Sequence, residues 1–430
     1  MKPALTSSTA EILGKLLKEK ILVVDGAMGS MLLAKNLTAK DFGGPQYEGC
    51  NEHLNLTAPS VISDIHESYL EAGADIIETN TFGATRIVLA EYGLQDKALD
   101  INRSAARLAR QAADKFSKTP SPRPPLAPSP PRPFVAGSMG PTTKTILVTG
   151  GVTFEQLENS YAEQAQGLLE GGADILMLET AQDTLNVKAG LLGIDRAFQA
   201  TGRQAPIMVS CTIEVMGTML AGQTIEAFYL SLAQRNLLCI GMNCATGPDF
   251  MTDHIRTLAG ISRFGVSVIP NAGLPDEHGV YNITPEMFTA KIERFVDEGW
   301  VNIVGGCCGT TPEHIRLLRQ MVAGKPPRKA TPRRIAAVSG LEPFIIEEDK
   351  RPVLVGERTN IIGSRAFKEL IVQGKWEEAA QIARRQVRNG AQIIDVCLPN
   401  PDRDEKADMQ TFLPILMLKI KAPVMIDSTD

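Results

Sequence analysis

Glu71-Ala72-Gly73-Ala74-Asp75-Ile76 recurs as Glu170-Gly171-Gly172-Ala173-Asp174-Ile175 and, more loosely, as Asp297-Glu298-Gly299-Trp300-Val301. Each copy reads as a helix stopped by glycine and followed at once by a buried parallel strand. Working outward, short apolar runs that end in Gly, Asn, Thr or Pro predict strands near 21–25, 76–79, 134–137, 175–179, 207–211, 238–242, 266–270 and 301–304. Segments of helical periodicity separate most of them. Eight such units in roughly 310 residues predict an α/β fold, a (β/α)8 TIM barrel over residues 1–325, with its active site at the C-terminal ends of the strands. Ahead of the first strand, Ile12, Leu13, Leu16 and Leu17 alternate with charges, which suits an amphipathic helix better than a signal peptide.

With 430 residues, 43% hydrophobic and 22% charged, the chain has room for two globular domains. Lys and Arg total 44 against 49 Asp and Glu, and no basic block marks a nucleic-acid surface. A small-molecule substrate is the expectation, and no apolar run reaches membrane-spanning length. Seven cysteines without a secretion signal predict a reducing compartment, the cytoplasm, where a close cysteine cluster binds metal or does chemistry. The proline-rich stretch 119–133 reads as an exposed loop insertion, and basic, proline-rich 325–334 opens an interdomain linker over 326–350. Beyond it, 353–360, 393–396 and 424–428 read as strands, with a helix over 376–389. Eighty residues are too few to close another barrel, so 351–430 is expected to be a truncated second (β/α) barrel that needs a partner surface.

Gly305-Gly306-Cys307-Cys308-Gly309-Thr310-Thr311-Pro312 carries the chemistry. Neighbouring residues of a strand point to opposite faces, so two adjacent thiols serve one centre only where the strand has ended and the backbone turns. Gly241-Met242-Asn243-Cys244-Ala245-Thr246-Gly247-Pro248 ends another strand in the same manner. On a barrel rim Cys244, Cys307 and Cys308 become neighbours, three thiolates for one Zn2+ with the fourth position open. Such a centre is too electron-rich to make hydroxide well, and suits activation of an incoming thiol. The bland alternative is three small core residues, as Cys239 reads, but adjacency between glycines weighs against it.

Other polar groups close the strands on the same rim. Asp25 precedes backbone amides from Gly26 to Gly29 that suit a substrate carboxylate. Glu78, Thr79, Asn80 and Thr81 end strand two, and Glu179 and Thr180 end strand four. Glu179, closing the run 175–178, is the better partner for an ammonium group. Any one of these can be a structural cap; together they describe a pocket for a small amino acid bearing a thiol. Asp64-Ile65-His66 starts a pattern used in cobalamin binding but lacks its glycine, so His66 reads as structural. Neither His-Glu-x-x-His nor Gly-x-Gly-x-x-Gly is present.

Asp25-Gly26-Ala27-Met28-Gly29, Glu78-Thr79-Asn80-Thr81-Phe82, Gly137-Ser138-Met139-Gly140-Pro141, Asn243-Cys244 and Gly305-Gly306-Cys307-Cys308-Gly309 together resemble the homocysteine-binding barrel of the homocysteine S-methyltransferases. Val355-Gly356-Glu357-Arg358-Thr359-Asn360 and Ile426-Asp427-Ser428 resemble the start of the pterin-binding barrel of cobalamin-dependent methionine synthases. The first resemblance implies zinc on Cys244, Cys307 and Cys308, and homocysteine held by Asp25, Gly26, Thr79, Glu179 and Asn243. The second implies 5-methyltetrahydrofolate contacts at Glu357, Asn360, Asp395 and Asp427, in an incomplete site. Cys397 stands where that family has asparagine, and the proline-rich insertion is not part of its pattern. The expected reaction is methyl transfer to homocysteine, giving methionine. Methylcobalamin is the donor, supplied in trans by a cobalamin-binding module or subunit that this chain lacks. The alternatives are a betaine- or S-methylmethionine-dependent enzyme, or a non-catalytic zinc and homocysteine module of a larger assembly.

Overall fold

Glycine ends two helices where the repeated junction predicts. In the computed structural model Gly73 follows the helix Pro59–Ala72 at φ 113°, and Gly172 follows the helix Phe154–Gly171 at φ 103°. These left-handed values let the chain leave the helix and enter a strand within three residues, at Ile76 and Ile175. The structure describes residues 9–118, 132–146, 148–277, 279, 281–330 and 335–428; most of the proline-rich stretch lies outside them. The chain divides into two compact units, Met1–Ala221 with Arg235–Pro332, and Gly222–Gln234 with Arg333–Asp430.

In the first unit the strands are β1 (Leu22–Val23), β2 (Ile76–Glu78), β3 (Phe134–Met139), β4 (Ile175–Ala181), β5 (Ile207–Cys211), β6 (Cys239–Cys244), β7 (Gly265–Pro270) and β8 (Ile303–Val304). They form one parallel sheet in sequential order, with β8 beside β1. A parallel bridge from Val24 to Ile76 joins β1 to β2, so the ring closes as the TIM barrel expected from the sequence. Leu22 and Val24, Phe134 and Ala136, and Ile175 and Met177 share one buried cluster, the period of two that turns alternate residues inward. Leu13, Leu16 and Leu17 of the helix Thr9–Glu19 join that cluster. A helix of this length is marginal by itself, and burying each leucine contributes about 2 kcal/mol, so its stability comes from the barrel.

The predicted linker 326–350 begins with residues fixed to the barrel. Arg328 is buried and donates to the carbonyls of Ala259, Ser262 and Phe264, while Asn302 donates to its own carbonyl. The antiparallel pair β9 (Ala337–Ser339) and β10 (Pro343–Ile345) follows in the second unit, where the Ser339 hydroxyl donates to Ala227 O of the helix Ile225–Leu232. The sequence reading gave these residues no regular structure. β11 (Val355–Gly356), β12 (Ile393–Cys397) and β13 (Val424–Asp427) form a separate three-stranded parallel sheet, packed by helices Arg365–Val372, Trp376–Arg388 and Glu405–Met417. Among the described residues, no helix is long and apolar enough to cross a membrane.

Candidate metal centre and substrate pocket

β6 ends at Cys244, paired with Pro270 at the end of β7. After β8 the backbone turns, and its amides are taken by neighbours: Cys307 N donates to Pro270 O at 2.8 Å, Cys308 N to Asn271 Oδ1 at 3.1 Å and Gly309 N to Ser30 Oγ at 2.9 Å. Thr310 ties this loop to the one after β1, donating to Cys307 O at 2.7 Å and accepting from Ala27 N at 3.2 Å. The three sulfurs lie within 4.8 Å of one another, and those of Cys307 and Cys308 are 4.0 Å apart. Ligands about 2.3 Å from one tetrahedral Zn2+ sit roughly 3.8 Å apart, so the trio fits three of its corners. Backbone strain collects here: Thr180, Cys244 and Ala245 hold positive φ of 55°, 59° and 45°. The Ala245 amide is thereby aimed at the Cys244 sulfur.

Three thiols this close share their protons. Hydrogen bonds from Cys244 and Cys307 draw the Cys308 thiol below its usual range, while the same contacts and burial hold Cys307 well above it. Full deprotonation of the set therefore requires a cation.

Beside the sulfurs lie three acids, Asp25, Glu78 and Glu179, whose charges act on one another. Glu179 is buried; it accepts from Ser138 Oγ at 2.5 Å and from Asn243 Nδ2 at 3.0 Å. Burial raises its pKa to about 7, with Cys308 adding and the bonds from Ser138, Thr180 and Asn243 opposing. Burial likewise holds Asp25 and Glu78 well above the carboxylate range. Both Asp25 oxygens face the Glu78 amide at 3.1 Å, and the enclosed Glu78 Oε1 has no hydrogen-bond partner. Burial and mutual repulsion thus dominate all three acids, with no cation among the main influences given for them.

The residues expected to hold substrate divide by their surroundings. Asn243 uses its whole amide, accepting from Thr180 N and Ser210 Oγ and donating to Glu179 and Thr180 Oγ1, so it orients Glu179 from behind. Thr79 is buried, its hydroxyl 2.5 Å from Thr81 Oγ1 and accepting from Ser138 N. Gly26 leaves room for Thr310 and Tyr69, whose side chains would lie 2.7 and 2.9 Å from an added β-carbon. Glu78, which the sequence reading placed on the rim behind Glu179 in preference, joins the acids, and Ser138, Asn271 and Thr310, to which that reading gave no individual role, support the site. In the second unit Asn360 Nδ2 lies 3.3 Å from Asp395 Oδ2, and the charges of Asp427 and Glu357 add to burial in raising Asp395. Glu357 and Asn360 follow β11, Asp395 lies midway along β12 and Asp427 ends β13.

The fold and rim define a (β/α)8 barrel of the enzyme type, with three convergent thiols and three neighbouring acids at the C-terminal ends of its strands. Residues 22–322 match the family model of homocysteine S-methyltransferase, and residues 356–430 that of pterin binding enzymes. The chain belongs to the homocysteine S-methyltransferase family, carries a pterin-binding segment, and its class is methyl transfer to homocysteine. Among solved structures it is similar to the homocysteine methyltransferase MmuM from Escherichia coli. The oxidised form is 23% identical over 70% of this chain and 96% of that chain, with a TM-score of 0.55. The metallated form is 22% identical over 72% and 99%, with a TM-score of 0.56. At such identity the likeness shows the fold alone.

Proposed function

We propose that this chain is the homocysteine-activating part of a methionine synthase of the cobalamin-dependent type. The convergence of Cys244, Cys307 and Cys308 within 4.8 Å carries this reading. Cys244, Cys307 and Cys308 would hold a zinc ion, which would supply the Lewis acidity that lowers the pKa of an incoming thiol. Asp25, Glu78 and Glu179 receive the α-ammonium group of homocysteine, which neutralises a like-charged cluster. The amides after Asp25 receive its carboxylate. Ser138 and Asn243 fix Glu179, so the amino-acid end is anchored while the sulfur points to the open position.

The methyl donor in this reading is methylcobalamin presented by a cobalamin-carrying module. Leu33, Phe82, Val215, Met216, Phe250 and Leu274 stand exposed in segments that follow the strands' C-terminal ends, Leu33 at the end of the short helix Met28–Leu33 and Phe250 in the first turn of the helix Pro248–Ile261. Apolar groups spread around a mouth suit a large covering partner better than a small donor such as betaine or S-methylmethionine. The methyl originates from 5-methyltetrahydrofolate. Glu357, Asp395 and Asp427 would accept from the N–H groups of its pterin, and Asn360, whose Nδ2 donates to Asp395, would orient that carboxylate. In this reading the protein works in a reducing compartment, the cytoplasm, where such thiols stay reduced.

The test is zinc content and methylcobalamin:homocysteine methyl transfer by the purified chain and its Cys308→Ala variant. About one zinc per chain is expected, lost in the variant with unchanged circular dichroism. Losing an outer-shell partner typically costs 10- to 100-fold, so removing a ligand should cost activity more than about 100-fold. Equal transfer by the metal-free chain, or a preference for betaine, sinks the proposal. Unfolding of the variant would favour the non-catalytic zinc module.

A further inference from the structure

Beyond the ladder between β1 and β8 the two following loops stay joined. Val24 N donates to Val304 O at 2.8 Å, Gly306 N to Asp25 O at 3.2 Å and, further out, Ala27 N to the Thr310 hydroxyl at 3.2 Å. A side chain thus continues the pairing where the backbones part. The same hydroxyl donates its proton to Cys307 O at 2.7 Å, so one oxygen bonds both loops. Thr310 is fully buried and lies between Gly26 and Gly306, where an added β-carbon would fall 2.7 Å and 2.5 Å from its oxygen. Neither glycine holds a positive φ, so both are needed for room. From the helix Pro59–Ala72 the buried Tyr69 hydroxyl reaches the same two loops, 3.2 Å from Ala27 O and 3.3 Å from Thr310 O.

We propose that Thr310, backed by Tyr69, is a positioning residue that fixes the span between the loop serving the substrate's sulfur and the loop serving its amino-acid end, and so selects a thiol amino acid by chain length. The inference rests on the proposed function. In that reading Cys307 and Cys308, on the loop after β8, would hold the metal that receives the sulfur, while Asp25 and the amides that follow it, on the loop after β1, receive the ammonium and carboxylate groups. Homocysteine has one methylene more than cysteine between its α-carbon and its sulfur. A site held at one span engages the longer chain at both ends and the shorter chain at only one. If the loops could slide, they would close on the shorter chain and the distinction would fade. The bridging hydroxyl opposes that slide, because moving the loops apart or together breaks its bond to Ala27 N or to Cys307 O. Thr310 touches no sulfur itself; it acts through the Cys307 carbonyl and the Ala27 amide.

The experiment measures homocysteine and cysteine binding to the zinc-loaded chain by isothermal titration calorimetry, for wild type, Thr310→Val, Thr310→Ser and Tyr69→Phe. Wild type should prefer homocysteine by about tenfold or more, the discrimination one methylene supplies in a fitted site. Thr310→Val keeps the shape between the two glycines but leaves Ala27 N without its acceptor, so homocysteine affinity should fall about tenfold while cysteine affinity changes little. Thr310→Ser keeps the hydroxyl and should hold the wild-type ratio of the two affinities, which a role in packing alone would not do. Tyr69→Phe loosens the second tie and should lower the ratio by about threefold. An unchanged ratio in Thr310→Val, or in Tyr69→Phe where Thr310→Val does not fold, overturns the proposal. So does an equal fall in Thr310→Ser, or a wild type that prefers neither thiol. Wild-type protein that takes up no zinc, or binds homocysteine equally well without it, overturns the metal reading itself, and this inference with it.

Discussion

Asp75 and Glu179 are both buried acids of the same barrel, one at the entry of a strand and the other near its exit. Asp75 is fully matched: Lys20 Nζ lies 2.9 Å away, Arg319 Nη1 3.3 Å, and Val23 N donates at 3.1 Å. Glu179 shares its end with Asp25 and Glu78 and has hydroxyl and amide partners, but no cation figures among its main influences. At the entry end the carboxylate is matched by cations of the barrel itself, and at the exit end by hydroxyl and amide groups; in the proposed reading the exit end takes its cation from the substrate.

Breaking the matched end should have the largest effect on stability. Asp75→Asn keeps the shape and the bond to Val23 but leaves Lys20, itself buried, without its nearest counter-charge. Uncompensated buried charges cost about 3–5 kcal/mol, to be read by denaturant unfolding. Activity per folded molecule should stay unchanged. A loss of activity without a loss of stability would show that the two ends are not separable in this way.

Changing the unmatched end should do the opposite. The Glu179 carboxyl, with its pKa raised to about 7, keeps in the folded state a proton that the unfolded chain releases above its ordinary value of 4.5. Its stabilising contribution is therefore full below pH 4.5 and is lost as pH rises through about 7. Glu179→Gln removes that loss, so the metal-free variant should gain up to about 3 kcal/mol at pH 8 and little at pH 5. Homocysteine affinity should fall about tenfold or more, since a charge-assisted contact is gone. A variant that is both less stable at pH 8 and fully competent to bind would reverse the assignment of this acid.

The two ends also differed in how far the sequence disclosed them. Glycine stops, apolar runs and the adjacent cysteines are local signals, and they placed the eight strands and brought Cys244 to Cys307 and Cys308. Which side chain turns into the mouth is not local. Glu78 and Thr79 are neighbours, so they point apart; the sequence favoured Thr79 as a ligand, yet its hydroxyl is bonded to Thr81 and Ser138 while Glu78 keeps an unpaired oxygen. Asn243 offered an amide that two other strands, β4 and β5, consume, and the Tyr281 ring finds its seat only because a glycine 28 positions later leaves room for it. The helix Ile225–Leu232 reads as part of the barrel's alternation, yet its segment groups with the second unit through bonds such as Thr224 N to Leu341 O. These are tertiary outcomes, set by loops whose sequences carry no periodicity.

The smallest expected effect sharpens the comparison from a third position. His66, in the helix Pro59–Ala72, is fully buried, and neither ring nitrogen has a hydrogen-bond partner. Burial alone lowers its pKa from 6.5 to about 4. Between those values the unfolded chain binds a proton that the folded chain refuses, so stability falls as pH drops through this window, the reverse of the Glu179 dependence. From pH 7 to 5.5 the loss should be about 1 kcal/mol, because only the upper part of the window is crossed. His66→Leu has nothing to protonate and should flatten that part of the profile in thermal or urea unfolding, with homocysteine binding unchanged. If the wild-type and variant slopes coincide between pH 7 and 5.5, the ring is reached by a donor or by water, and the isolation of this histidine is wrong. If the variant alone loses homocysteine, His66 belongs with the exit-end machinery and not with the barrel's packing.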